Sequence, residues 1–387
     1  MKTVLFFTDY HTGAHIAEIE GIIERARAHN WRVVEIEYER ASRPLGDYIR
    51  SLKADGCILV GSSLTKPIAP EAFQNTPTIY LAPDPKTFQH RRHCVVSDTG
   101  AVARAAFQEL SALSCVSLGF VGWMNRTMWS EGRRLAFKKL AEDAKLPFFS
   151  FTETWSLEDK ARFHKKLEAW IRKLPKPCGI FAANDETAVE VADVCHFLGL
   201  EMPKDVAVVG VDNLEFVCEN AMTSLTSIEI DFYEVGRKCV DFLARLLDNP
   251  DLPPETVMFG PERVVQRQST CSIRTSDDRI LRALERIRRE SRFGLKASEV
   301  IAEMGISRRL AEQKFRAATG KTILEAINDT RLEHAFALLR RPNYPISTIA
   351  TQCGWNADVF LKRLFKKKTG LTMREWRKHR DVPAAAQ

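Results

Sequence analysis

No apolar run in this 387-residue chain approaches the roughly 18 residues that a membrane-crossing helix needs. The opening MKTVLFFTDYHTG has one early lysine and a four-residue apolar run, too short for a secretion signal. The nine cysteines, at 57, 94, 115, 178, 195, 218, 239, 271 and 353, form no CxxC pair and no Cys/His cluster at zinc spacing. Scattered reduced thiols in a cytoplasmic protein are therefore expected. Catalytic words are missing too: no GxSxG, HExxH or GxGxxG occurs, and the nine histidines are dispersed. ATGKT at 318–322 has the ending of a phosphate-binding loop, but that loop needs a glycine where Phe315 stands. No metal or cofactor is expected, and an enzyme is disfavoured.

What is present divides unevenly along the chain. Length alone suggests two or three domains. Residues 271–380 carry 25 Lys and Arg against 12 Asp and Glu, whereas residues 1–270 carry 32 against 37. A basic C-terminal third on a mildly acidic body points to a polyanionic partner for the former, against the plain alternative of solvated Arg-rich helices.

Within that third, one short unit is written twice. GISRRLAEQKFRAATGKT, from Gly305 to Thr322, and GWNADVFLKRLFKKKTGLT, from Gly354 to Thr372, share a leading Gly, a Phe, and a closing Thr-Gly-x-Thr. The spacing predicts two helix-turn-helix units, 297–320 and 346–370, within a domain spanning 279–380. Ser298 and Ser307 are the expected caps of the first unit and Asn356 of the second, with Gly305 and Gly354 at the turns. Leu310, Ala311 and Phe315 are expected on one buried face, as are Phe360, Leu361, Leu364 and Phe365. The segment ILEAINDTRLEHAFALLRR between the copies reads as a rigid helical spacer. Paired recognition helices entering successive major grooves of duplex DNA give a physical reason for the duplication, because one small reader cannot stand out against competing sites.

The GIS turn, Phe315, the Thr-Gly pair at 319–320, IxxIAxxCGW from Ile346 to Trp355, RLFKKKTGLT and Trp376 resemble the AraC/XylS family of DNA-binding domains. The resemblance implies that Arg309, Glu312 and Gln313 face bases from the first unit. Asp358, Val359, Lys362 and Arg363 correspond in the second. Arg363 suits guanine and Gln313 adenine, while Lys366, Lys367, Lys368 and Arg374 suit phosphates. The second unit departs from the family pattern, with Leu361 where Phe is usual and Phe360 just before it.

The first 270 residues alternate short apolar runs with amphipathic helical segments: TVLFFT, WRVVEIE, GCILVG, TIYLAP, SLGFVG, CGIFAAND and VAVVGVD are the runs. This predicts parallel sheets in an α/β protein, with polar residues at the strand ends, where such folds bind ligands: Asp9, Asp98, Asn184, Asp185, Asp212 and Asn213. Trp123, Trp129 and Phe216 are candidates to cover a sugar ring, against plain packing roles. The pieces VVSDTGAVARAAFQEL, LGFVG, GRRLAFKKL, GIFAANDETAVEVADVCHFLGLEMPKDVAVVGVDN and SLTSIEIDFYEVGRKCVDFLARLL resemble the effector domain of the LacI/GalR family. That family's fold is the two-lobed periplasmic-binding-protein type I fold. The resemblance implies a sugar held by Asp98, Arg133, Asn184, Asp185 and Asp212, with Asp9 as a further polar contact, and dimerisation through residues 1–270. With the first strand expected from Thr3, the family's own N-terminal DNA reader is not expected here.

The expectation is thus a sugar-binding, homodimerising domain over 1–270, a linker at 271–278, an all-α tandem helix-turn-helix domain over 279–380 and a disordered tail at 381–387. The order, sensor first and AraC-type pair last, is similar to that of regulators of xylose operons. It implies a transcription regulator, by analogy an activator, with D-xylose as effector and double-stranded DNA and RNA polymerase as partners. A sugar-acting enzyme and a ligand-independent DNA-binding protein are the alternatives.

Overall fold

The computed structural model describes residues 1–8, 13–37, 44–60, 73, 76–82, 92–123, 127–153, 159–271, 277–341 and 344–380. Asp9, residues 272–276 of the expected linker and the 381–387 tail lie outside the described residues. Two units emerge, Met1–Cys271 and Ser272–Gln387.

The first unit holds two six-stranded sheets. Strands β1 (Thr3–Thr8), β2 (Arg32–Glu37), β3 (Gly56–Val60), β4 (Thr78–Leu81) and β5 (His93–Ser97) build the first. Strands β6 (Ser117–Val121), β7 (Phe148–Phe151), β8 (Cys178–Ala182), β9 (Val206–Asp212) and β10 (Thr226–Glu229) build the second. The chain then returns to the first sheet as β11 (Thr256–Phe259) and to the second as β12 (Arg263–Val265). The orders are β11-β5-β4-β3-β1-β2 and β12-β10-β9-β8-β6-β7. Every pairing is parallel except that of β12 with β10. β3, β6 and β8 are buried along their whole length, as a parallel sheet covered on both faces requires. This explains why those segments read as unbroken apolar runs.

Helices α1 (Gly13–Ala28), α2 (Leu45–Leu52), α3 (Thr99–Ser111), α4 (Met128–Asp143), α5 (Lys160–Lys173), α6 (Asp185–Phe197), α7 (Glu215–Asn220) and α8 (Phe232–Asp248) complete the unit. α8 packs on β3 and β4 of the first sheet and α3 on β8, β9 and β10 of the second. The described chain crosses between sheets three times: β5 to α3, β10 to α8, and β11 to β12. Asp98 caps α3 by accepting from Ala101 N at 2.7 Å, and Asp231 caps α8 by accepting from Glu234 N at 3.1 Å. Two crossings therefore start helices at once, and a backbone bond from Asp98 N to Phe259 O (2.7 Å) ties the first crossing to the third.

α1 and α8 meet backbone to backbone. A Cβ on Gly236 would lie 2.1 Å from the Glu18 carbonyl oxygen, and one on Gly21 would lie 2.0 Å from that of Tyr233. Arg25 adds an ion pair to Asp241 at 2.5 Å.

The second unit is helical: α9 (Asp278–Glu290), α10 (Ala297–Glu303), α11 (Arg308–Thr319), α12 (Ile323–Leu339), α13 (Ile346–Gln352), α14 (Asp358–Thr369) and α15 (Met373–Arg380). Two cores share α12. Ile323 and Ile327 join Ile280, Ile287, Val300, Ala311 and Phe315, whereas Leu332, Ala335 and Leu339 join Ile349, Cys353, Leu361 and Phe365. Between them Arg331, buried, donates to the carbonyls of Ser291 and Leu295, both at 2.8 Å, and lies 5.8 Å from the Trp355 ring centroid. Gly354 seats the second unit's turn against the first: at φ 82° any Cβ would also fall 2.4 Å from the Ser291 oxygen. Asp329 of α12 accepts from Lys321 at 2.6 Å and pairs with Lys368 at 2.9 Å, one from each unit.

The repeated Thr-Gly-x-Thr is a helix stop followed by a helix start. Gly320 and Gly370 end α11 and α14 at φ 75° and 76°. Thr319 and Thr369 bond back to Phe315 O (2.7 Å) and Phe365 O (2.9 Å). Thr322 and Thr372 then open the next helices, each with its amide donating to a glutamate, Glu325 or Glu375, at 2.8 Å.

Three sequence expectations change. Ser298 lies inside α10, which begins at Ala297, because Glu299 accepts the Lys296 amide one turn earlier. Ala357, not Asn356, precedes α14. Phe360 and Leu310 face solvent, since Leu361 and Ala311 fill the core positions beside them.

The α1–α8 contact generates the first prediction. Gly236→Ala must push two helix backbones apart, so its unfolding transition should fall by about 1–3 kcal/mol in denaturant titrations.

Candidate effector cleft and DNA-reading surface

The carboxyl ends of both sheets converge on one cleft, the place where such sheets hold small molecules. Val60, Leu81 and Ser97 end strands of the first sheet, and Ala14, His15 and Glu18 come from the start of α1. Asp212 ends β9 of the second and Asn184, just beyond β8, caps α6, while Trp129 and Arg133 come from the first turns of α4. Phe232 and Phe259 reach it from the crossings, as does Ser97.

Arg133 is 3% exposed. Its guanidinium lies 4.7 Å from the Trp129 ring centroid and donates through Nη1 to the Ala183 carbonyl, while its buried Nε has no protein acceptor among the described residues. Burial pulls its pKa down, and Asp212 and Asp185 oppose that by favouring the cation. Asp212 experiences the converse: enclosure raises its pKa well above the ordinary carboxylate value, with Arg133 pulling the other way.

Asp212 also holds an unfavourable backbone, φ 103°, followed by Asn213 at φ 51°. A buried network secures that turn. Asn213 N donates to Ser227 Oγ at 2.9 Å, and Arg267 donates to Asn213 Oδ1 at 2.9 Å and to Glu219 at 2.5 Å. Asp185 accepts from Ser227 Oγ at 2.5 Å and from Leu214 N at 2.7 Å.

Of the sequence candidates, the cleft wall therefore gathers Arg133, Asn184 and Asp212. Asp185 and Asn213 lie behind it and fix the turn that carries Asp212. Asp98 stands at a crossing as a helix cap, and Asp9 lies outside the described residues. Trp129 lines the cleft; Trp123 is buried beside it with ring centroids 6.3 Å apart, and Phe216 is 82% exposed on α7. Sequence reasoning missed His15, Glu18, Ser97, Glu186, Phe232 and Phe259. His15 and Glu18 sit one turn apart at the opening of α1, a spacing that could have signalled a shared helix face.

In the second unit, Arg309 and Gln313 on α11, and Lys362, Arg363, Lys366, Lys367 and Lys368 on α14, are exposed. Four candidates have intramolecular partners, two of them each other's. Glu312 accepts from Ile323 N at 3.3 Å, Asp358 pairs with Lys362 at 2.5 Å, and Lys368 pairs with Asp329. Ser307 caps α11 by accepting from Leu310 N at 3.4 Å.

A pH prediction follows from the network. Burial raises Asp185 to about 6, against the hydrogen bonds from Ser227 and Leu214. Between its ordinary value near 3.8 and about 6, the folded protein binds more protons than the unfolded chain, so this carboxyl contributes stability that is lost as pH rises through that window. Asp185→Asn should give a flatter dependence of melting temperature on pH between 4 and 6.5 than the wild type.

Comparison with known proteins places both regions. Residues 107–270 match a periplasmic binding protein-like domain and residues 300–379 a helix-turn-helix domain. The xylose operon regulatory protein of Escherichia coli (strain K12) is 28% identical over 289 residues, covering 74% of each chain. That of Haemophilus influenzae is 27% identical over 343 residues, covering 86% of this chain and 87% of its own. The solved structure of the xylose-binding transcription activator xylR covers 97% of both chains at TM-score 0.53 and 23% identity. The transcriptional regulator CelR in complex with cellobiose covers 70% of this chain and 84% of its own, at TM-score 0.60 and 18% identity. The chain thus carries a periplasmic-binding-protein-like domain followed by a helix-turn-helix domain, and along most of its length it is similar to xylose operon regulatory proteins.

Proposed function

We propose that this protein is a sugar-responsive transcription regulator whose effector, D-xylose, binds between the two sheets and changes operator binding by the paired helix-turn-helix units. The observation that carries the reading is a buried Arg133, its charge favoured by Asp212 on the same wall of a two-sheet cleft, in a chain that also bears two groove-sized helices. Carboxylate and amide groups accept from and donate to neighbouring hydroxyls, the Arg133 Nε offers a further donor, and Trp129 gives a flat face for the C–H side of a ring. The names of the relatives supply the pentose. Among the described residues no helix is long and apolar enough to cross a membrane, in keeping with a regulator that works in the cytoplasm.

In this mechanism the sugar has higher affinity for a closed cleft, and closure turns on the three crossings. Populating the closed state alters how a homodimer engages double-stranded DNA, and with it RNA polymerase; activation is the sense proposed. The relatives reported above are transcription regulators, which supports a cleft that binds its sugar without turning it over.

Titration calorimetry with D-xylose and other pentoses and hexoses tests the sensor; absence of heat with every sugar would overturn it. Arg133→Ala should abolish that heat while leaving DNA affinity of the sugar-free protein within about twofold, since surface and distant sites contribute independently. On the DNA side, Arg363→Ala should lower preference for the operator over random DNA by about tenfold or more. Lys367→Ala should weaken both alike and reduce the salt slope by about one.

A further inference from the structure

The second reading helix carries an apolar feature that a plain basic helix has no use for. Leu361 and Phe365 of α14 are fully buried in the second core, which fixes the helix's rotation. The opposite side presents Val359, 65% exposed, and Phe360, 68% exposed, on the first turn. Arg363 follows Val359 by four residues and Phe360 by three, and Lys366 and Lys367 follow one turn later, so these five residues share one face. Exposing two large apolar side chains side by side in water is unfavourable, and neither contributes to the core. The corresponding position of α11, fifty residues earlier, is Leu310, also 39% exposed. The same apolar position is thus left open in both copies.

The surroundings decide what covers it. Arg363, Lys366 and Lys367 on the same face favour a polyanion. The first turn of a groove-entering helix is the part that reaches base edges, and the apolar group a major groove offers there is the thymine methyl. We propose that Val359 and Phe360 form a thymine-methyl reader, so that the second unit selects a T-bearing step beside the base contacted by Arg363. This rests on the DNA-reading role proposed above and adds the chemistry by which one unit chooses its sequence.

Deoxyuridine supplies the test, because it pairs as thymidine does and lacks only the methyl. Duplexes are selected by the full chain, with and without D-xylose, from a randomised pool. The selected duplex is then resynthesised with deoxyuridine at each thymidine in turn, and affinities are read by fluorescence anisotropy. One or two adjacent substitutions should weaken binding about fourfold each, the worth of one buried methyl. Phe360→Ala and Val359→Ala should bind the thymidine and deoxyuridine duplexes equally at that step, whereas Lys366→Ala should weaken both and keep the ratio. Both apolar side chains are exposed, so their truncation leaves the core intact, and an unchanged melting temperature checks this. A flat deoxyuridine scan, or a ratio that survives Phe360→Ala, would overturn the methyl reader while sparing the regulator. Failure of the full chain to enrich any sequence would overturn both.

Discussion

A guanidinium buried to 3% exposure needs its charge answered, and the second-sheet wall of the cleft is arranged around how Arg133 is answered. The Trp129 ring covers one side, the Ala183 carbonyl accepts one N–H, and Asp212 supplies the opposing charge. Asp212 stands there in a backbone conformation that non-glycine residues avoid. Its cost is offset by the bonds that Asp185, Ser227 and Arg267 make around Asn213 and Leu214. The cleft is therefore pre-organised on the second-sheet side, while the first-sheet side contributes the polar ends of α1.

In the second unit the corresponding constraint is steric. Gly354 leaves no room for a side chain against Ser291, and Arg331 fastens the same segment from the other side. The two helix-turn-helix units are thereby joined through α12 as one body, with Asp329 held by a lysine from each. Burial works against the Asp329 carboxylate, but the two lysines prevail and hold its pKa below the ordinary value. A lysine engaged in this way, Lys368, serves the seam before it can serve a phosphate.

Legibility in the sequence followed the strength of local physical signals. Unbroken apolar runs marked buried parallel strands, and the repeated Thr-Gly-x-Thr marked a helix stop and start, because each pattern has one inexpensive structural solution. Strand-end polar residues pointed to the right edge of the sheets, yet the sequence could not separate Asp212, which lines the cleft, from Asp185, which braces it. That difference depends on a φ of 103° and on Ser227 and Arg267, respectively 42 and 82 residues beyond Asp185. Helix α1 was legible as a helix, but its cleft residues His15 and Glu18 were not, since their role comes from α1 lying beside the strand ends. Phe360 failed for the opposite reason: hydrophobicity suggested burial, and only the packing of Leu361 shows which of two adjacent apolar residues the core accepts.

The shared helix α12 has a consequence for how such a duplicated reader can diverge. Its first half completes one core and its second half the other, so neither copy keeps a whole interior if the pair is divided. Drift is channelled outward instead. The solvent faces already differ, with Arg309 and Gln313 on one copy where the other has Val359 and Arg363, while the span between them is inherited unchanged. New target sequences are open to this architecture; new target spacings are not.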